Sequence, residues 1–570
     1  MTDKAVPGTP AAAAVEASRP SHESDVKVLE VRQIEGIDAT HAAIMATNKP
    51  NQWGKGYVRL YMLAACIFLN STMNGFDASL LGSINALPNY TSYYNLPSKG
   101  ATSTGIVFAI YQVGQMVASF FIWIADWRGR KALIFIGALG VCVATVITAT
   151  AKTLSAFIGG RFLLSYFATL AHMGAVLYLV EMAPTRYRGT LAGLYNTFYY
   201  FGSILATSAV YGAHLHLPHK GNDDWRIPLW LQMVCPAIVA SIVLFFPESP
   251  RWLVAKDRHE EAEAIIARYH ANGDADHPLV SLEMKEMIAS LQFEGMTTWK
   301  DFFNYKALVK TRGRRYRLML NVTFAWFGQF SGNNIVSYYL PTLLTNVGIK
   351  DTNMKLLMNI IYALDGWIFA TVGTRFHDVI GRRKMFMIST MGMAIALAIT
   401  AATAAKFVHT GSTTASSASI SFIYIFGGIF AFAFTSMQPI YPTEVMSNDM
   451  RAKGAQSYKL ISGASGFLNT FVGPIALQNF ENQALVLKPK ADFRVQIGYW
   501  FYVFFVFWDL FEFVFVYFFY VETKGVSLEE LEVIFESKNP RKASTAVKTL
   551  KHTTVVKHDG SAETEAKAVV

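Results

Sequence analysis

Charge is scarce in this chain: of 570 residues only 16% are charged, against about a quarter in a soluble globular protein. Cysteine is scarcer still. Cys66, Cys142 and Cys235 are the full set, each inside an apolar stretch, which excludes a disulfide framework and a cysteine-based metal cluster and suits helix packing. No charged amino-terminal segment runs directly into an apolar core, so residues 1–56 read as a cytosolic, largely disordered head and not as a cleaved signal. The formal charge of +10 does not make a nucleic-acid surface, because Lys and Arg collect in short segments between apolar blocks, as membrane topology requires.

Apolar residues are what the chain has in abundance: 52% of the total, with 42 Phe and 21 Met. They fall in repeated blocks of about twenty residues, long enough to cross hydrocarbon. Twelve spans are expected, centred on 60–86, 104–125, 132–151, 154–179, 190–212, 229–246, 318–341, 355–376, 384–405, 420–441, 455–478 and 497–521. The fold class is therefore an all-α membrane protein. The eleventh span is rich in Gly, Ser and Asn, which suits close helix packing or a polar path, and Gly75 marks a break in the first. Residues 248–317 form a charged interruption between a first membrane unit, 57–247, and a second, 318–521, with a cytosolic tail at 522–570. Within the interruption, HEEAEAIIARY and LVSLEMKEMIASL have the spacing of short amphipathic helices.

Loop charge sets the orientation. Arg128, Arg130 and Lys131, then Arg186 and Arg188, then Arg382, Arg383 and Lys384, then Arg451 and Lys453 alternate with less basic loops. The positive-inside rule puts both termini in the cytosol of a multi-pass protein of the cell membrane. Asn89, in Asn-Tyr-Thr, then lies outside as a candidate glycosylation site, whereas Asn70 and Asn321 do not.

An internal repeat gives the architecture. Asp126-Trp-Arg-Gly-Arg130-Lys131 returns as Asp378-Val-Ile-Gly-Arg382-Arg383; Glu181 precedes Arg188 as Glu444 precedes Arg451; and PESPRW after the sixth span matches VETKG after the twelfth. Three matched pairs in one order predict two pseudo-symmetric bundles of six helices that rock about a midplane site. The glycines permit tight turns and the cations anchor the interface. Asp126, Arg130, Glu181, Arg188, Asp378, Arg382, Glu444 and Arg451 are further expected to form a cytosolic gate. In it Glu181 and Glu444 pair either with Arg130 and Arg382 or with Arg188 and Arg451 when that side is closed.

Asp77 and Asp365 are the two intramembrane acids this reading singles out. A carboxylate there is expensive and usually functional, and Arg161 in the fourth span is the candidate partner of Asp77. Gln329, Asn333 and Asn334 lie in FGQFSGNNIVSYYLP, where buried amides must find hydrogen bonds and can exchange water for sugar hydroxyls. Tyr338, Tyr339, Tyr199, Tyr200 and Trp367 can offer flat faces to a sugar or simply pack. No metal triad or catalytic acid–base pair is apparent, so an enzyme is not expected.

Taken in order, these motifs resemble the sugar porter family of the major facilitator superfamily over residues 57–535. They are GFD at 75–77, the D-x-x-G-R-R/K pair, GRF at 160–162, Glu181 through Gly189, PESPRWL at 247–253, SGNN with Gln329, Glu444 through Gly454, and ETKG with SLEELE at 522–532. The resemblance implies the major facilitator fold, Asp77 as the proton-linked acid with Arg161, and Gln329 and Asn334 as sugar-binding amides. It also places Asn196 where many hexose carriers have a binding glutamine. Gly328 in place of a paired glutamine and Pro439 in place of a binding tryptophan depart from the glucose pattern, while Val521 replaces the proline of PETKG. GSINALPNY and QFSGNNIVSYYLP look like the fungal lactose-permease and cellodextrin-transporter branch. The implied function is proton symport of a disaccharide such as lactose or cellobiose. A monosaccharide or another small hydrophilic metabolite is the alternative substrate class, and a nontransporting sugar sensor the alternative function. Expected partners are a small sugar, a proton and membrane lipid, with no nucleic acid and no cofactor, and the expected unit is a monomer.

Overall fold

The computed structural model describes residues 50–96, 102–184, 188–217, 221–294, 305–447, 450–487, 498–524, 526, 528–546, 550–556 and 562–568. Most of the expected head, 1–56, lies outside them. In hydrocarbon each backbone donor and acceptor must be satisfied within its own segment, so the apolar blocks become helices. The first unit contains α1 (Lys55–Ile84), α2 (Thr102–Ser119), α3 (Arg130–Thr150), α4 (Leu154–Met182), α5 (Arg188–His216) and α6 (Asp223–Val243). Next come α7 (His259–His270) and α8 (Pro278–Glu294). The second unit contains α9 (Arg312–Phe330), α10 (Asn333–Asn346), α11 (Thr352–Ile380), α12 (Arg382–Thr410), α13 (Thr413–Phe430), α14 (Arg451–Leu487) and α15 (Gly498–Phe519). The tail adds α16 (Leu528–Glu536) and an unexpected antiparallel pair, β1 (Leu550–Val556) and β2 (Ala562–Ala568).

Helix covers every expected span. Seven described helices are long and apolar enough to cross a membrane on composition: α3, α4, α6, α11, α12, α13 with its continuation to Thr435, and Tyr502–Phe519 of α15. This is a multi-pass membrane protein. The helices over the other expected spans, α1, α2, α5, α9 with α10, and α14, are shorter in apolar length or more polar, and all of them contribute to the lining of the interior cavity described below.

Two local expectations change. The seventh span is not one helix: the chain breaks at Gly332, which takes φ +92 between α9 and α10, and bends again at Tyr339, two residues before Pro341. Proline removes a helical donor and clashes with the preceding turn. Conversely, α1 runs unbroken through Gly75. A side chain there would collide with the Tyr199 backbone, just as one at Gly202 would collide with that of Thr72, so Gly75 serves a close crossing of α1 and α5. Each unit packs chiefly within itself, and the two meet where α2 packs on α14, α5 on α11 and α1 on α10.

The linker forms the two expected short helices with a core of its own around Leu253, Ile266, Val280 and Met284. His270 docks it. One ring nitrogen lies 2.5 Å from Glu283 and the other 3.0 Å from the carbonyl of Met182, the last residue of α4. Burial opposes a charge on His270, but the Glu283 carboxylate prevails and holds the imidazole above its ordinary value.

Candidate functional site

The interior cavity measures about 170 Å³ and is walled by both units. From the first come Asn74, Ser79, Tyr111, Gln112, His172 and Asn196; from the second Gln329, Asn333, Asn334, Tyr338, Tyr362 and Lys459. The break at Gly332 matters here, because it interrupts helical bonding just where the amides cluster. Asn334 donates to the Gln329 side-chain oxygen at 2.9 Å and to its carbonyl at 3.1 Å, and Asn469 donates to the same carbonyl at 2.7 Å. These bonds hold the amides in one orientation. Tyr362 donates to Asn333 at 3.4 Å. Tyr199 and Tyr200 also line the cavity. Tyr339 does not share their position: it is buried at 2% exposure, and its hydroxyl bonds the Thr470 carbonyl at 3.1 Å. The bend before Pro341 turns it into the helix interface, so it holds α10 to α14. Trp367 packs in the cluster of Tyr199 and Tyr200. The Asn196 amide reaches across from α5 to the Thr435 carbonyl at 2.5 Å.

Asp77 is fully buried in α1, and its carboxylate meets the Arg161 guanidinium of α4, as expected from their sequence positions. A second partner was not anticipated: Gln232 of α6 donates to the same oxygen at 2.7 Å. The helix loosens at Gln232, because Pro236 cannot donate to its carbonyl. The next residues along α1, Ala78 and Ser79, line the cavity, as does Tyr111, whose ring faces Arg161. Asp365 is half-buried outside the cavity lining, with one oxygen lacking a partner among the described residues.

At the motif end of the helices the repeat becomes geometry. Arg130, first residue of α3, bonds Glu181 at 2.9 Å and Asp126 at 3.2 Å. The Ser249 hydroxyl also donates to Glu181, and Glu248 accepts from the backbone of Arg130 at 3.1 Å. In the second unit Arg382 bonds Glu444 at 2.7 Å, Thr523 donates to Glu444 at 2.6 Å, and Glu522 accepts from the backbone of Arg382 at 2.8 Å. Gly129 and Gly381 precede the two arginines at φ +98 and +97, and in each the glutamate carboxylate fills the space a side chain would need. Glu181 thus pairs with Arg130 and not with Arg188. Both recorded pairs stay within their own unit. The side chains of Asp378 and Arg451, like Arg186, lie outside the described residues.

The family described as Sugar (and other) transporter matches residues 63–535. The chain belongs to this family. As a sugar (and other) transporter it is a carrier and not an enzyme, performing secondary active transport of a small polar solute. The MFS-type transporter oryC of Aspergillus oryzae is 27% identical over 85% of this chain and 86% of its own length. The probable quinate permease of Aspergillus fumigatus is 26% identical over 84% and 88%, and the quinate permease of Neurospora terricola 25% over 84% and 89%. The Escherichia coli xylose transporter XylE, solved as a proton:xylose symporter bound to 6-bromo-6-deoxy-D-glucose, shares the fold. It has a TM-score of 0.68 and 20% identity over 84% of this chain and all of its own. The sequence likeness thus reaches sugar-porter membership but not the lactose and cellodextrin branch.

This sugar (and other) transporter also carries interior ionisable residues that sequence reasoning passed over. Asp509 and Glu512 stand one turn apart in α15, both fully buried, with the Trp508 ring nitrogen donating to Glu512 at 2.6 Å. They contradict the restriction of intramembrane acids to Asp77 and Asp365. His172 and Lys459 line the cavity from α4 and α14. In each case the signal was present, an ionisable residue inside an expected span.

Proposed function

We propose that the chain imports a small polyhydroxylated solute, a monosaccharide or an organic acid of similar size, by alternating access of two six-helix halves across twelve spans. Both termini are cytosolic in this reading and the protein lies in the cell membrane. The observation that carries it is one amide- and hydroxyl-lined cavity walled by both halves, with the buried group of Asp77, Arg161 and Gln232 immediately behind its wall. Gln329, Asn333, Asn334 and Tyr338 take the solute's hydroxyls, each amide offering donor and acceptor in one plane.

Size argues against the disaccharide. Pockets for drug-sized ligands occupy about 300–1,000 Å³, and this cavity, at about 170 Å³, suits something smaller. Two of the relatives are named for quinate, a compact polyhydroxylated acid. Protons drive uptake through Asp77. A guanidinium beside a buried carboxylate favours its ionised form, and losing that partner favours the protonated one, so a rearrangement within the first half that draws Asp77 away from Arg161 exchanges a proton with each cycle. Glycosylation of Asn89 belongs to the same orientation, and it requires release of the 2.9 Å bond from the Asn89 amide to Asp224.

Reconstituted vesicles test this with radiolabelled quinate, D-xylose, D-glucose, lactose and cellobiose under an imposed pH gradient. Concentrative uptake of one or more of the three smaller solutes, abolished by a protonophore, is expected. Accumulation of the disaccharides alone, or accumulation indifferent to the protonophore, overturns the reading.

A further inference from the structure

Among the described residues lining the cavity, Lys459 is the one lysine or arginine, and no carboxylate lines the wall with it. It sits on α14 eight residues beyond Arg451, roughly 12 Å into the helix at 1.5 Å per residue, and so lies between the motif end and the amides of α9 and α10. Nothing described neutralises it. Asp77, the nearest acid to the wall by sequence, is committed to Arg161 and Gln232, and Asp365 stands outside the lining.

Lys459 has company. His172 of α4 lines the same cavity close to Lys459. One of its nitrogens is fixed by the Tyr195 hydroxyl at 3.0 Å, and the other has no recorded partner among the described residues. Gln112 and Gln115 of α2 complete this part of the wall. An ammonium inside a membrane protein is expensive unless paired, and such residues mark the path of a substrate or ion. A neutral sugar would leave Lys459 as it is. A carboxylate would satisfy it.

We propose that Lys459, with His172 beside it, receives the carboxylate of a polyhydroxylated acid, while Gln329 and Asn334 hold its hydroxyls. This rests on the carrier function proposed above and narrows it, since the solute carried is an anion. The lysine supplies a compact charge with three donors, and the amides select for hydroxyls further along the same cavity.

Calorimetric titration of the purified full-length protein decides it, using quinate, quinamide (the same hydroxyls with a neutral carboxamide) and D-xylose at one pH. Quinate should bind about tenfold or more tighter than quinamide, as a charge-assisted hydrogen bond outweighs a neutral one. Lys459→Met should collapse that ratio toward unity, and Lys459→Arg should keep most of it. Equal binding of quinate and quinamide by the unsubstituted protein overturns the assignment even if Lys459→Met does not fold. So does a Lys459→Met ratio that is unchanged. Binding of D-xylose without quinate overturns it too, but leaves the carrier function standing. A protein that binds none of the three, and accumulates no solute of the panel in vesicles, loses both.

Discussion

The two halves of the molecule are alike at the motif end and unlike everywhere above it. Both brace an arginine at a helix start with one glutamate on its side chain and a second on its backbone. Arg130 has Glu181 and Glu248, and Arg382 has Glu444 and Glu522. A hydroxyl, Ser249 or Thr523, completes each. Above the brace, the first half has an unbroken leading helix and a buried charge pair, Asp77 with Arg161. The second half has a leading helix broken at Gly332 and a set of hydrogen-bonded amides. Above the shared brace the two halves therefore differ in kind, with the buried Asp77–Arg161 pair in the first and the cluster of Gln329 and Asn334 in the second.

The largest effect should come from breaking that division on the charged side. Arg161→Ala strands a fully buried carboxylate, a loss of about 3–5 kcal/mol, and should abolish concentrative uptake. Asp77→Asn keeps the shape and should retain exchange of solute across the membrane. Thermal unfolding in detergent and vesicle uptake read the two effects, and an Arg161→Ala protein as stable as the parent would end the comparison.

Likeness at the brace is tested by Gly129→Ala and Gly381→Ala. Each forces a methyl into a backbone region that L-residues avoid, at about 1–3 kcal/mol, and against a glutamate carboxylate. Matched turns should give matched losses, and destabilisation by only one would show the repeat to be formal.

On the solute side, Gln329→Ala and Asn334→Ala should each weaken binding by about 1 kcal/mol. Tyr339→Phe, at a hydroxyl committed to the Thr470 carbonyl, should leave affinity nearly unchanged. Equal losses in all three would move the site toward α14.

The smallest effect concerns the linker helix α7, which His270 docks on α4 of the first half. His270 is held above its ordinary value of 6.5, so its protonated bond to Glu283 contributes fully below that value and is lost as pH rises through the elevated one. Hydrogen exchange in α7 should accelerate over that upper range, and His270→Gln should remove the dependence.

Much of this was legible from residues alone. Helix boundaries followed the apolar blocks because lipid leaves a backbone no other option, and the Asp77–Arg161 pair followed from the rarity of charge inside spans. Gln232 was not legible, since it meets Asp77 across two helices far apart in the chain, with no sequence spacing to betray the approach. The break at Gly332 lay inside a stretch whose length reads as one span, 318–341. Tyr338 and Tyr339 are adjacent and chemically identical. Only the bend at Tyr339 decides that one faces the cavity and the other does not.

The bond from Asn196 to the Thr435 carbonyl has a bearing on the empty carrier. It joins the two halves across the cavity, and it does so where the helix widens into a π-turn over Ala431–Thr435, a geometry that releases carbonyls from their usual partners. A solute that claims the Asn196 amide must first detach it from the opposite half. Anything that takes the Asn196 amide from inside the cavity therefore also loosens one tie between the halves, beside the packing of α2 on α14 and of α5 on α11.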